Sequence, residues 1–83
     1  MGDRDKKPTV AFGQVLQELR AKKGLTQEKL AELAETERSH ISALERAEKG
    51  PSLATILNLA RALGMSAGEI VSMVEDRQPQ KKR

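Results

Sequence analysis

The 83-residue chain has no cysteine, no tryptophan and no tyrosine, and a single phenylalanine, Phe12. Without cysteine, neither a disulfide framework nor a thiolate metal site can form, a composition that suits a reducing cytoplasmic setting. One aromatic ring is too few for the stacking platforms that bind single strands or unpaired RNA bases. The lone histidine, His40, has no Cys or His neighbour, so no metal site is expected. No apolar run approaches the length of a membrane span and no signal-peptide pattern opens the chain, so no membrane partner is expected. There is no glycine-rich phosphate loop and no carboxylate pair with a histidine. The chain therefore reads as a non-enzyme that needs no cofactor. Gly64-x-x-x-Gly68 is only a helix stop followed by a short linker.

What charge there is lies unevenly. The net charge is +3, but residues 8–76 hold 8 Lys/Arg against 10 Asp/Glu and are net negative. Residues 1–7 contribute +1, and residues 77–83 contribute +4 through Arg77, Lys81, Lys82 and Arg83. A body of this sign does not announce a polyanionic partner by its isoelectric point. The tail, which carries Pro79 and no apolar anchor, reads as a mobile basic end able to add non-specific attraction to phosphates.

The length allows one domain with a modest core. Residues 1–9 are polar and charged, contain Pro8, and read as a flexible arm; residues 10–76 form the domain, and residues 77–83 the tail. Phe12, Val15, Leu16 and Leu19 recur at helical spacing, and Gly24 after Lys22-Lys23 marks a stop. Thr26 is an N-cap for a second helix with Leu30, Ala31 and Ala34 on its inner side. Glu35-Thr36-Glu37 leaves room only for a tight turn before a third helix, roughly 38–46, anchored by Ile41 and Leu44. Ser52 caps a fourth helix whose apolar set is Leu53, Ile56, Leu57, Ala60 and Leu63, closed by Gly64. Ser66-Ala67-Gly68-Glu69 reads as a capping box opening a fifth helix with Ile70, Val71, Met73 and Val74. No alternating strand pattern appears. The expected fold is all-α, with five short helices.

Thr26-Gln27-Glu28-Lys29-Leu30-Ala31-Glu32-Leu33-Ala34, then Ile41-Ser42-Ala43-Leu44-Glu45, Pro51-Ser52-Leu53 and Ala60-Arg61-Ala62-Leu63-Gly64, resembles the Cro and phage-repressor type helix-turn-helix family. The resemblance runs without a gap from about Phe12 to Val74. It implies a lambda-repressor-like domain that regulates transcription by binding double-stranded DNA. The third helix would lie in the major groove, with its N-terminal residues facing base edges. On that basis Arg38, Ser39, Ser42 and Ala43 are base-facing candidates. Arg38 suits the two acceptors of guanine, and Ala43 a thymine methyl. His40 is either a phosphate or base contact or a plain exposed side chain, and Arg46 and Lys49 are phosphate contacts. In the family the residue at Gln27 binds a phosphate and braces the third helix, helped by the helix N-terminus. The resemblance also sets Arg20 opposite Glu45 as a tie between the first and third helices.

Three residues depart from the family pattern. Glu35 stands where the turn usually has Gly, Glu37 is a poor N-cap, and Ala47 replaces a common Gly after the third helix. Glu35, Glu37 and Glu48 place negative charge near the expected phosphates. Apolar surface on the fifth helix, at Ile70, Met73 and Val74, points to a homodimer on a pseudo-palindromic operator. The alternative is a protein-interaction module, such as an antitoxin or another partner-binding helix-turn-helix protein. Phage repressors carry a further oligomerisation or sensing domain for which this length has no room. Size and layout resemble the small controller proteins of restriction–modification genes, compact antitoxins and phage-type switch proteins.

Overall fold

A computed structural model describes residues 2–77, and among them there are five helices and no strand. They are α1 (Gly2–Lys22), α2 (Gln27–Leu33), α3 (Arg38–Glu45), α4 (Leu53–Leu63) and α5 (Ala67–Arg77). The all-α expectation holds. Helix α1 packs against α3 and α5, α2 against α3 and α4, and α5 closes over α1 and α4. The core is the apolar stripe of α1 (Phe12, Val15, Leu16, Leu19) meeting Leu30, Ala31 and Ala34, Ile41 and Leu44, Leu59, Ala60 and Leu63, and Ile70. Each short helix is held by this shared burial, since helices of 7 to 11 residues are marginal in isolation.

Side-chain caps fix three of the starts. The Thr26 hydroxyl accepts from the Lys29 N–H at 3.0 Å, and the Ser52 hydroxyl from the Thr55 N–H at 3.0 Å. Ser66 and Glu69 close the expected capping box: the Glu69 N–H donates to Ser66 Oγ at 3.0 Å, and the Ser66 N–H to Glu69 Oε1 at 2.9 Å. Helix α3 is the exception. Its N-cap is Glu37, which makes no side-chain cap hydrogen bond.

The structure revises the sequence reading at two boundaries and on two helix faces. Helix α1 begins at Gly2 and runs through Pro8, so residues 2–9 are helical where the apolar pattern reads an arm. Those residues carry no apolar stripe, which is why periodicity gives no sign of the helix. Arg77 ends α5 and pairs with Glu18 of α1 at 2.6 Å, so it belongs to the domain and not to the tail. The other tail residues, 78–83, lie outside the described residues. On α4, Leu53 and Leu57 point to solvent at 72% and 51% exposure, and Leu59 takes the core position instead. On α5, Ile70 is 1% exposed and so has no surface to offer a second subunit. Met73 and Val74 pack half-buried against the core, and Val71 is the exposed residue at 47%. The reason is geometric: Ile70, Met73 and Val74 fall at i, i+3 and i+4 on one helix face. That face is the one turned inward.

No described helix is long and apolar enough to cross a membrane.

Candidate nucleic-acid interface

Helices α1 to α4 end in the same hydrogen-bond pattern. In each, the left-handed residue past the last turn donates to the third carbonyl back, and the following residue reaches five back. At α1 these are Gly24 N–H to Ala21 O (2.9 Å) and Leu25 N–H to Arg20 O (3.0 Å); at α4, Gly64 N–H to Arg61 O (3.2 Å) and Met65 N–H to Ala60 O (3.0 Å). This is the Schellman arrangement, which needs a left-handed residue where the chain turns away. Gly24 and Gly64 fill that place at φ 70° and 71°. At α2 and α3 the same place falls to Glu35 (φ 59°) and Ala47 (φ 61°). Their bonds are intact: Glu35 N–H to Glu32 O (3.1 Å) and Thr36 N–H to Ala31 O (2.9 Å), then Ala47 N–H to Leu44 O (3.1 Å) and Glu48 N–H to Ala43 O (2.9 Å). Helix α3 is thus bracketed by two non-glycine residues in a region that costs an L-residue about 1–2 kcal/mol. Glu35→Gly and Ala47→Gly are each expected to stabilise the chain by about 1 kcal/mol, which for a domain this small raises the melting temperature by about 4–8 °C. Calorimetry on the two variants checks this; unchanged melting in both would contradict strain at the bracket.

What holds α3 in place is clear. Ile41 and Leu44 are both 0% exposed. Glu45 is gripped from two sides. Arg20 donates through Nε to Glu45 Oε2 at 2.6 Å and through Nη2 to Oε1 at 3.1 Å, while its Nη1 donates to the Leu25 carbonyl at 2.8 Å. Gln27 Nε2 donates to Glu45 Oε1 at 2.9 Å. One carboxylate therefore ties α1, the α1–α2 link and the start of α2 to the end of α3. The Arg20 and Glu45 side chains are 17% and 4% exposed. The bonds from Glu45 hold the Arg20 guanidinium above its ordinary pKa, against the opposing effect of burial. The Arg20–Glu45 tie and the bracing contact of Gln27 are the ones the family resemblance implied.

A residue that the sequence reading passed over shares this junction. Gly13 on α1 faces the end of α3 so closely that a Cβ there would lie 2.6 Å from the Leu44 carbonyl oxygen and 2.8 Å from that of Glu45. The sequence signal was present, a glycine inside an apolar helical stripe, which marks a close backbone approach.

The outward side of α3 is built from short side chains and one long cation. Arg38 and Ser39 are exposed at its first turn, and Ser42 and Ala43 are half-buried farther along. Among the described residues Arg38 and Lys49 form no ion pair. His40 is half-buried and its Nδ1 lies 2.9 Å from Thr36 Oγ1, so the ring is oriented by the turn. Arg46, just past the helix, is occupied by Glu48 through two hydrogen bonds of 2.9 and 3.1 Å. These bonds raise the Arg46 pKa and lower that of Glu48. Arg38, Ser39, Ser42 and Ala43 thus lie on one short helix, with Arg46 and Lys49 in the segment that follows it. The described residues hold no group of His, Asp and Glu side chains able to bind a metal ion.

Comparison with known proteins matches residues 11–72 to the helix-turn-helix domain family. An uncharacterized HTH-type transcriptional regulator, y4dJ of Sinorhizobium fredii, is 38% identical over 58 residues, which are 70% of this chain and 75% of that protein. The immunity repressor protein of Bacillus phage phi105 is 39% identical over 62 residues, covering 75% of this chain and 43% of the repressor, so the chain spans under half of that relative's length. Among solved structures, the restriction-modification controller protein C.AhdI from Aeromonas hydrophila superposes with a TM-score of 0.73 at 47% identity. The superposition covers 75% of this chain and 94% of C.AhdI.

Proposed function

The chain belongs to the helix-turn-helix family of transcriptional regulators, and from that premise we propose that it binds a specific double-stranded DNA site with α3 in the major groove. One observation carries the reading. The inner side of α3 is anchored by Ile41, Leu44 and Glu45, while Arg38, Ser39, Ser42 and Ala43 are left unburied or half-buried, with no ion pair on Arg38 among the described residues. A rigid helix with short outward side chains can approach base edges closely, and an unpaired guanidinium at its first turn can take both acceptors of a guanine. Gln27, at the N-terminus of α2, and Lys49 are the phosphate contacts beside it. His40 adds a contact from the same turn as Arg38.

Arg38→Ala is expected to cost about 1–3 kcal/mol on the preferred site and to relax base preference there. Lys49→Ala is expected to weaken all duplexes alike. Selection from a random duplex pool, then titration of wild type and variants on selected and scrambled sites, checks both. Equal losses on the two sites for Arg38→Ala would reduce that residue to a phosphate contact.

The likeness to C.AhdI, at 47% identity and a TM-score of 0.73, supports a controller-type role. We further assign a homodimer, which would set two copies of α3 about one DNA turn apart on a pseudo-palindromic site. Its surface is revised from the sequence expectation: Val71 replaces the buried Ile70, with Met73 and Val74 half-buried beside it. Val71 and Val74 also line an apolar groove of about 300 Å³ with Phe12, Pro51 and Ile56. Val71→Glu is expected to shift sedimentation from dimer to monomer at micromolar concentration while leaving the helical signal intact. A wild type that sediments as monomer at all concentrations would defeat the assignment.

A second reading, a module that binds a protein partner, is favoured by the net negative body and by Glu35, Glu37 and Glu48 around α3. The salt dependence of duplex binding separates the two. Binding through several phosphates weakens steeply as salt rises, and a chain that binds no duplex at low salt belongs to the second reading.

A further inference from the structure

We propose that Glu48 is a built-in competitor for DNA phosphate, holding the Arg46 guanidinium in the free protein and so setting the affinity of the DNA-bound state. The inference rests on the DNA-binding reading and names a residue that tunes it. Arg46 follows α3 directly, on the segment that leaves the helix. Its Nε and Nη2 form the planar fork with which arginine takes two oxygens of a carboxylate or a phosphate. Both fork donors are engaged by the Glu48 carboxylate, at 2.9 and 3.1 Å.

The pair is not a chance meeting of two free side chains. Glu48 sits two residues after Arg46, and its backbone N–H is bonded to the Ala43 carbonyl at 2.9 Å. That bond, made possible by the left-handed Ala47, returns the chain over the end of α3 and sets the carboxylate beside the guanidinium. Arg46 and Glu48 are 61% and 56% exposed, so water and salt screen the pair and it adds little to stability. Its effect falls on binding. A phosphate must displace the carboxylate to reach the fork, and the displaced charge then lies near the same phosphate. The pair hides one cation from the backbone of any duplex, whatever its sequence.

The test is a double-mutant cycle on DNA binding with Glu48→Ala, Arg46→Ala and the double variant, against a selected duplex and a scrambled one over a range of salt. Glu48→Ala is expected to tighten both duplexes, by up to about fivefold if the whole worth of an exposed ion pair is released. It should also steepen the log-affinity versus log-salt slope by up to about 0.9, one further phosphate. In the Arg46→Ala background the same substitution should have a much smaller effect on both, because only the direct repulsion of the carboxylate is then relieved. Glu48→Gln, which keeps the side-chain length and removes the charge, should tighten binding in the same direction, and thermal melts of all variants should coincide. An equal gain from Glu48→Ala in both backgrounds would overturn the inference, because the carboxylate would then act through its own field and not through Arg46. No gain in either background would overturn it too, while leaving DNA binding by the wild type intact. A wild type that binds no duplex at low salt would remove the DNA-binding reading and this inference with it.

Discussion

Arg20→Ala is expected to remove more than half of the chain's stability, leaving it folded at room temperature but unfolded by mild denaturant. The Glu45 side chain is 4% exposed, and Arg20 supplies two of its three hydrogen bonds from side chains. Removing the cation strands a buried carboxylate with only the Gln27 amide for company. Breaking one side of a buried pair costs about 3–5 kcal/mol. Arg20 itself reaches solvent at 17%, and water entering by that route holds the cost to about 3 kcal/mol. A domain of this size has a total stability of only about 5 kcal/mol. The urea midpoint should fall accordingly, by well over half. Replacing both partners, as in Arg20→Met with Glu45→Leu, should recover much of the loss, because no buried charge remains. The recovered protein should still bind DNA poorly, since the tie between α1, α2 and the end of α3 is gone. An Arg20→Ala protein with the wild-type urea midpoint would mean that Glu45 is solvated in solution.

Gly13→Ala poses a sharper question because two effects oppose each other. Within a helix, alanine is favoured over glycine by about 1 kcal/mol, so a purely local view expects a more stable protein. The tertiary view expects the reverse. The added methyl would stand 2.6 and 2.8 Å from two backbone carbonyl oxygens, at Leu44 and Glu45, where no flexible side chain can move aside. Either α1 shifts or the end of α3 does, and overpacking of this kind costs about 1–3 kcal/mol. The expected result is a lower melting temperature for Gly13→Ala and a much lower one for Gly13→Val. Specific DNA binding should fall by more than the lost stability explains, because the junction with α1 sets the position of α3, which carries the residues proposed to face the bases. A rise in melting temperature for Gly13→Ala would show that α1 and α3 stand farther apart than this packing.

Local chemistry determined much of this protein without help from tertiary contacts. The apolar stripe of α1, the hydroxyl caps at Thr26 and Ser52 and the reciprocal box of Ser66 and Glu69 each act within one or two turns, so spacing along the chain reveals them. The awkward residues were legible through the family resemblance: Glu35 and Ala47 stand where its pattern has Gly, and both occupy left-handed positions. The match to a long family pattern also implied the Arg20–Glu45 tie, which no local rule contains. Tertiary structure alone decided which stripe of α5 turns inward. Ile70, Met73 and Val74 share one face, Val71 and Val74 nearly share another, and only packing onto α1 and α4 made the first the core side. It likewise turned Leu53 and Leu57 outward, moved Arg77 from tail to domain by pairing it with Glu18, and extended α1 back to Gly2 over residues with no apolar stripe. The approach at Gly13 and the occupation of Arg46 by Glu48 depend on where two backbones meet and where a turn returns the chain. Those distances are set by three-dimensional packing and leave no period in the sequence.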